Sequence, residues 1–231
     1  MALNKIFDLF RSKLRRLGFD VIRYRSRPKW PGDKDRFEYQ EQLVQFDIPA
    51  GSVVLDIGSG HYPFSLATIL SDLYTEESPH RTEGLVRDGR PFLILDMHHL
   101  PFADKSIDFI YCSHVLEHAE DPAQACSELI RVAHRGYIET PTFATDMLFS
   151  WALTVNHKWH VVAINNILLF FEYSARQQKG IQFPIWRILI QSAEDHPLQE
   201  AYYNNLDLFN VMFAWKGSFD YEVYRLDSIN Q

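Results

Sequence analysis

The 231-residue chain is 46% hydrophobic, 14% aromatic and 23% charged, which is enough apolar material for one sizeable core and excludes a disordered or collagen-like chain. Its formal charge of −7 averages two unlike parts: residues 1–30 hold nine Lys/Arg against two Asp, or +7, and the rest of the chain carries −14. A general nucleic-acid binder needs basic surface on the body of the fold, so nucleic acid is not expected as a partner and only a short basic arm remains.

Leu3, Ile6, Phe7, Phe10, Leu14 and Leu17 keep helical spacing, with Lys5, Arg11, Arg15 and Arg16 off that stripe, and Gly18 stops the pattern. This amphipathic helix either packs on the body of the protein or meets an anionic membrane surface or partner. Arg23, Arg25 and Arg27 would point one way in an extended stretch from Phe19 to Lys29, as a solvated face or as a seat for an anionic head group. Trp30-Pro31-Gly32-Asp33 punctuates the chain before a short helix around Arg36 to Gln45. Residues 1–30 are thus read as a basic amphipathic segment and residues 31–231 as a single domain.

From Gly51 short apolar runs alternate with helical segments. Val53 to Ile57, Phe92 to Leu95, Ile107 to Cys112 and Tyr137 to Ile138 read as buried strands, and Asp121-Pro122 opens a helix through about Val132, with Asp121 as its cap. That alternation predicts an α/β fold with a mostly parallel sheet and helices on both faces. Residues Phe143 to Ile190 are apolar and aromatic without a clean period and are taken as part of an inserted lid at about 142–205. Leu208 to Trp215 and Phe219 to Leu226, flanking Lys216-Gly217-Ser218, read as an antiparallel hairpin at one sheet edge. Cys112 and Cys126 have no pairing or metal-ligand spacing, no run is apolar enough to span a membrane, and no secretory signal opens the chain; these readings favour a cytoplasmic location, peripheral to a membrane if the arm attaches there.

The sharpest chemical signal is Val53-Val54-Leu55-Asp56-Ile57-Gly58-Ser59-Gly60, a buried strand ending in an acid and followed by a glycine turn. Glycine lets backbone approach a ligand closely, and the acid suits a cationic ligand better than a pyrophosphate. Leu55 to Gly60 resembles motif I of the class I S-adenosylmethionine-dependent methyltransferases. Asp96-Met97-His98-His99-Leu100-Pro101-Phe102-Ala103-Asp104-Lys105-Ser106-Ile107-Asp108 and Ser113-His114-Val115-Leu116-Glu117-His118 are similar, in order and spacing, to two signatures of the type 11 subfamily. The resemblance covers about Ile48 to Pro141 and implies a Rossmann-like sheet of seven strands, the last two being the C-terminal hairpin.

It further implies S-adenosyl-L-methionine as cofactor. Asp56 would orient the glycine loop, Gly58, Ser59 and Gly60 would lie against the methionine part, Asp96 would accept from the adenine amino group beside Met97, and Ser113 would join these contacts. A ribose diol calls for a carboxylate at the end of the second strand. Asp72, just past the apolar run Leu66 to Leu70, is preferred and Asp88 is the alternative. Tyr62-Pro63 stands where the pattern has a third glycine, so the first crossover should be short or irregular.

Methyl transfer is an in-line displacement that needs alignment and a dry pocket, and a hydroxyl acceptor also needs a base. His114 and His118, after the fourth strand, are the catalytic candidates; His61, His157 and His160 are further histidines placed to approach the site. His114, Glu117 and His118 put three metal-capable groups within five residues, and His157 or His160 could complete the set, but no metal is expected. Trp151, Trp159, Phe170, Phe171 and Trp186 either line an acceptor pocket or form core. The chain has no Asn/Asp-Pro-Pro-Tyr/Phe and no Pro-Cys after the fourth strand, which disfavours nucleobase methylation. The expectation is O-methylation of a small-molecule, lipid or glycan hydroxyl, with a non-catalytic cofactor-binding module and an RNA methyltransferase as alternatives.

Overall fold

The computed structural model describes residues 2–19, 36–76, 84–148, 157–178 and 205–226. Arg23, Arg25, Arg27, the Trp30 to Asp33 punctuation, Trp151, Trp186 and most of the expected 142–205 lid lie outside them. The element order is α1 (Ala2–Arg16), α2 (Arg36–Leu43), β1 (Val54–Ile57), β2 (Ile69–Asp72), β3 (Phe92–Ile94), β4 (Phe109–Ser113), a 3-10 turn (Leu116–His118), α3 (Pro122–Val132), β5 (Arg135–Pro141), α4 (Phe143–Leu148), β6 (Trp159–Ile164), β7 (Ile167–Glu172), α5 (Ala175–Gln178), α6 (Leu206–Phe209), β8 (Asn210–Lys216) and β9 (Asp220–Tyr224).

The main sheet runs β3-β2-β1-β4-β5-β8, parallel except where β8 joins β5 antiparallel. β1 and β4 are buried at every residue, as central parallel strands covered on both faces must be. Leu55, Ile57, Ile110, Cys112 and Ile138 face the core under α3. Val54, Leu70, Phe109, Tyr111 and Tyr137 face the opposite way, onto Phe46, Phe64 and Phe37 of α2. α3 forms where the sequence predicted it: the Asp121 carboxylate accepts from Ala123 N (3.1 Å) and Gln124 N (3.2 Å), and Ala125, Cys126, Leu129 and Val132 repeat at helical spacing along its buried side.

Two features differ from expectation. Among the described residues the sheet has six strands, because the C-terminal pair does not stay together: β8 closes the main sheet while β9 pairs parallel with β7 in a separate sheet of order β6-β7-β9. The aperiodic aromatic stretch contains a hairpin, β6 and β7, turning at Asn165, which takes a positive φ of 54°. Its inward residues Trp159, Val161, Leu168 and Phe170 belong to the main core, so Trp159 and Phe170 are core residues and not pocket wall. The connection from β1 to β2 contains no helix, as Tyr62-Pro63 suggested, and the Arg90 guanidinium ties it down by donating to Phe64 O (2.7 Å) and Ala67 O (2.9 Å).

α1 forms as the stripe predicted, and Phe10 and Leu17 on that stripe are 55% and 71% exposed. Among the described residues no helix is long and apolar enough to cross a membrane. Both cysteines are free and fully buried.

Candidate functional site

A pocket of about 320 Å³ opens at the carboxyl ends of β1, β2 and β4, where the strand order reverses between β1 and β4 and the loops leave a crevice. Asp56, Gly58, Ser59, Gly60, Asp72, Asp96, Met97 and Ser113 all line it, as do His61, His114 and His118. The three sequence motifs therefore converge on one cavity. Asp88 is not among its lining residues; it forms a bidentate pair with Arg90, which holds its carboxyl below the usual range.

The glycine loop is shaped by carboxylates as well as by its glycines. Asp56 Oδ2 accepts from Phe64 N (2.7 Å), fixing the irregular connection under the pocket, and Asp72 accepts from Gly60 N (3.2 Å) and Tyr74 N (2.9 Å). Gly58 sits at φ 70°, and a Cβ there would meet Val115 Cγ2 at 2.5 Å, so the loop packs against the chain leaving β4 as only glycine can. The Ser59 hydroxyl is buried without a hydrogen-bond partner at the pocket wall. Asp96 accepts from His98 N (2.9 Å) and lies 2.6 Å from His98 Nδ1; burial works to raise its carboxyl, and these contacts bring it below the ordinary value. The remainder of the second motif is structural: Arg131 reaches Leu100 O, Phe102 O and Asp104, while Lys105 Nζ donates to Ile130 O, Ala133 O and Gly217 O.

His114 leaves β4 at φ 58°, an uncommon conformation for a non-glycine residue, and its ring stands between two buried acids. Nε2 lies 3.2 Å from Glu139 Oε1 and Nδ1 lies 3.6 Å from Glu117 Oε1. Glu139, fully buried on β5, accepts from Tyr39 (2.5 Å), Gln40 Nε2 (2.9 Å) and Tyr137, while Tyr111 donates to Gln40 Oε1 (2.8 Å). Sequence reasoning missed this network because its partners are about a hundred positions apart. It also ended the strand at Ile138, whereas β5 runs to Pro141 with Glu139 paired inside it. Lys158, paired with Glu120, completes one wall of the pocket. His157 is buried beside Glu117 and His118, whereas His160 packs against Phe143 and Tyr173, away from the pocket lining, with its ring pKa lowered by burial.

A mostly parallel sheet with a glycine-and-carboxylate crevice at its switch point defines the class first: a Rossmann-like domain that takes a nucleoside-containing ligand. Residues 55–138 match the family described as "Methyltransferase domain", and over this stretch the chain is similar to the class I S-adenosylmethionine-dependent methyltransferases. S-adenosylmethionine is the cofactor of this class, and the chain fits it: the loop tolerates no side chain at Gly58, and the carboxylates suit a ligand rich in hydroxyl and amino groups.

The chain is 25% identical over 143 residues to the demethylmenaquinone methyltransferase of Thermobifida fusca, a match spanning 54% of this chain and 61% of that one. It is 37% identical over 97 residues to an uncharacterized methyltransferase of Mycobacterium tuberculosis, spanning 38% and 37% of the two chains. It thus covers less than two thirds of either relative. Among solved structures, a chain from the complex of the Haloferax volcanii Trm112 methyltransferase activator with a methyltransferase aligns over 80% of this chain and 91% of its own at 14% identity, with a TM-score of 0.48. A SAM-dependent methyltransferase from Aquifex aeolicus aligns over 48% and 69% at 21% identity, with a TM-score of 0.35.

Proposed function

We propose that the chain transfers a methyl group from S-adenosylmethionine to a hydroxyl oxygen of a small-molecule, lipid or glycan acceptor. The observation that carries this reading is the convergence of Asp56, Asp72, Asp96 and His114 on one pocket. The bound cofactor supplies a methyl group on a sulfonium. Gly58, Ser59 and Gly60 would hold its methionine part, Asp72 would receive the ribose hydroxyls, and Asp96 with Met97 would hold the adenine. Ser113 closes the floor.

A hydroxyl acceptor must lose its proton as the oxygen–carbon bond forms. His114 is assigned as the base. Its Nε2–H is held by the buried Glu139, which fixes the tautomer and stabilises the imidazolium, and its Nδ1 takes the acceptor proton. The left-handed backbone at His114 keeps the ring off the line of β4 and at the pocket wall. α1, basic along one side with Phe10 and Leu17 exposed, is assigned to contact with an anionic membrane surface or partner.

The test is transfer of labelled methyl from S-adenosylmethionine into a cell extract. The wild-type chain should label a non-protein, non-nucleic-acid fraction. His114→Asn, which tolerates the left-handed backbone and keeps a donor toward Glu139, should lower labelling by roughly a hundredfold or more with cofactor affinity unchanged. Wild-type cofactor binding with no labelling would refute transfer, and full labelling by His114→Asn would refute the base.

A further inference from the structure

Beside the pocket is a group of side chains that cofactor binding does not use. Glu117, in the 3-10 turn after β4, is 1% exposed, and neither of its carboxylate oxygens has a hydrogen-bond partner. Its Oε1 lies 3.9 Å from His118 Nε2 and 3.9 Å from His157 Nε2, and one ligand atom from each of the three residues falls within 4.8 Å of the others.

The nitrogen that His157 offers is set from behind. Its Nδ1 lies 2.9 Å from Asp146 Oδ1, and Asp146 is fixed in turn by the Tyr173 hydroxyl at 2.8 Å. With Nδ1 directed at Asp146, Nε2 is the ring atom turned toward the Glu117 carboxylate. A buried carboxylate without a hydrogen-bond partner, with one imidazole Nε2 3.9 Å away on each of two histidines, leaves a place for a cation among the three. An imidazole held by a carboxylate on its far nitrogen is the usual arrangement of a metal-ligating histidine.

The backbone holds the parts in place. Lys158 N donates to Glu117 O (2.8 Å) and Trp159 Nε1 donates to Ala119 O (2.7 Å), clamping the start of β6 onto the turn that carries Glu117 and His118. A metal about 2.0–2.2 Å from each donor would set tetrahedral donors about 3.4 Å apart, so the two carboxylate–imidazole separations of 3.9 Å would each contract by about half an ångström. His118 lines the pocket, which gives an ion a path in and leaves open positions on that side.

We propose that Glu117, His118 and His157 form a binding site for one divalent transition-metal ion, of the zinc or iron(II) kind, at the wall of the cofactor pocket. Two imidazoles and one carboxylate suit such ions, whereas magnesium favours an all-oxygen set. The metal is read on the chain without cofactor, so failure of this site and failure of the methyl-transfer reading are distinguishable.

The test is equilibrium dialysis of the full chain, stripped with a chelator, against cobalt(II) alone, followed by metal analysis and visible spectroscopy. Wild type should take up one cobalt per chain with the absorption of a histidine-bound ion, displaced by zinc and not by comparable magnesium. Glu117→Gln and His157→Ala should lose uptake, and Asp146→Asn should bind about 10- to 100-fold more weakly by freeing the far side of His157. His118→Ala, partly exposed at the pocket wall, tests the same site should a buried variant fail to fold. Uptake no greater in wild type than in His118→Ala would leave protons on the histidines as the charge partner of Glu117 and overturn the metal; equal displacement by magnesium would overturn its class.

Discussion

Substituting Gly58 tests the geometry of the glycine loop on which the cofactor assignment stands. Alanine there acts in two separable ways. The backbone is at φ 70°, where an L-residue with a Cβ costs about 1–2 kcal/mol. The new Cβ would also stand 2.5 Å from Val115 Cγ2 and 3.5 Å from Cγ1, about 1 Å inside ordinary carbon contact. Val115 is stiff at χ1 and packs against the main core, so relieving the overlap adds about 1–3 kcal/mol. Gly58→Ala should therefore destabilise the chain by about 2–5 kcal/mol. Val115→Ala removes both γ-methyl groups and should cost about 1–2 kcal/mol alone, but in the Gly58→Ala background it also removes the overlap. Urea unfolding of the four proteins should give a double variant more stable than the sum of the singles by about 1–3 kcal/mol, with m unchanged. Additivity to within about 0.5 kcal/mol would refute the contact, because non-additivity is the signature of two atoms competing for one space.

Asp121→Ala removes the oxygen that accepts from Ala123 N and Gln124 N and should cost about 1 kcal/mol in the urea midpoint, with no change in cofactor affinity; a larger loss of cofactor affinity than of stability would contradict a purely capping role. Glu139 gives a pH signature. Burial works to raise its carboxyl, but His114, Tyr137 and Tyr39 hold it below its ordinary value of 4.5. Because the folded value is depressed, its contribution is complete above that value and is lost as pH falls below it. The stability deficit of Glu139→Gln relative to wild type should shrink on acidification from roughly pH 7 to pH 3; a deficit constant over that range would refute the ionised network.

What the sequence made legible is local. β1, β4, α3 and the acid–glycine turn carry their signals within a few residues: continuous apolar runs, an Asp-Pro cap, paired glycines. The pocket followed, because strand ends and loops at a switch point meet wherever the strands are placed correctly. Asp72 ends β2 in the crevice while Asp88 is taken by Arg90, a distinction that depends on a residue two positions away but reads only in space. The second sheet was hidden because β6 and β7 carry apolar residues on both faces, which blurs the alternation; Trp159 and Val161, then Leu168 and Phe170, around Asn165-Asn166 were the hairpin signal. No local signal could have placed β9 against β7, or Tyr39 and Gln40 against Glu139, since each pairing is made by distant segments. The same holds for His157, which reaches Glu117 only because the hairpin folds back onto the turn after β4.

The central claim is that S-adenosylmethionine binds where Asp56, Asp72 and Asp96 meet. Titration calorimetry with S-adenosylhomocysteine measures it directly. Wild type should bind one equivalent, Asp96→Ala should lose about ten- to a hundredfold in affinity with the loss of one charge-assisted hydrogen bond, and Asp56→Ala should lose at least as much as the loop is released from Phe64 N. Unchanged affinity in both variants would contradict the account.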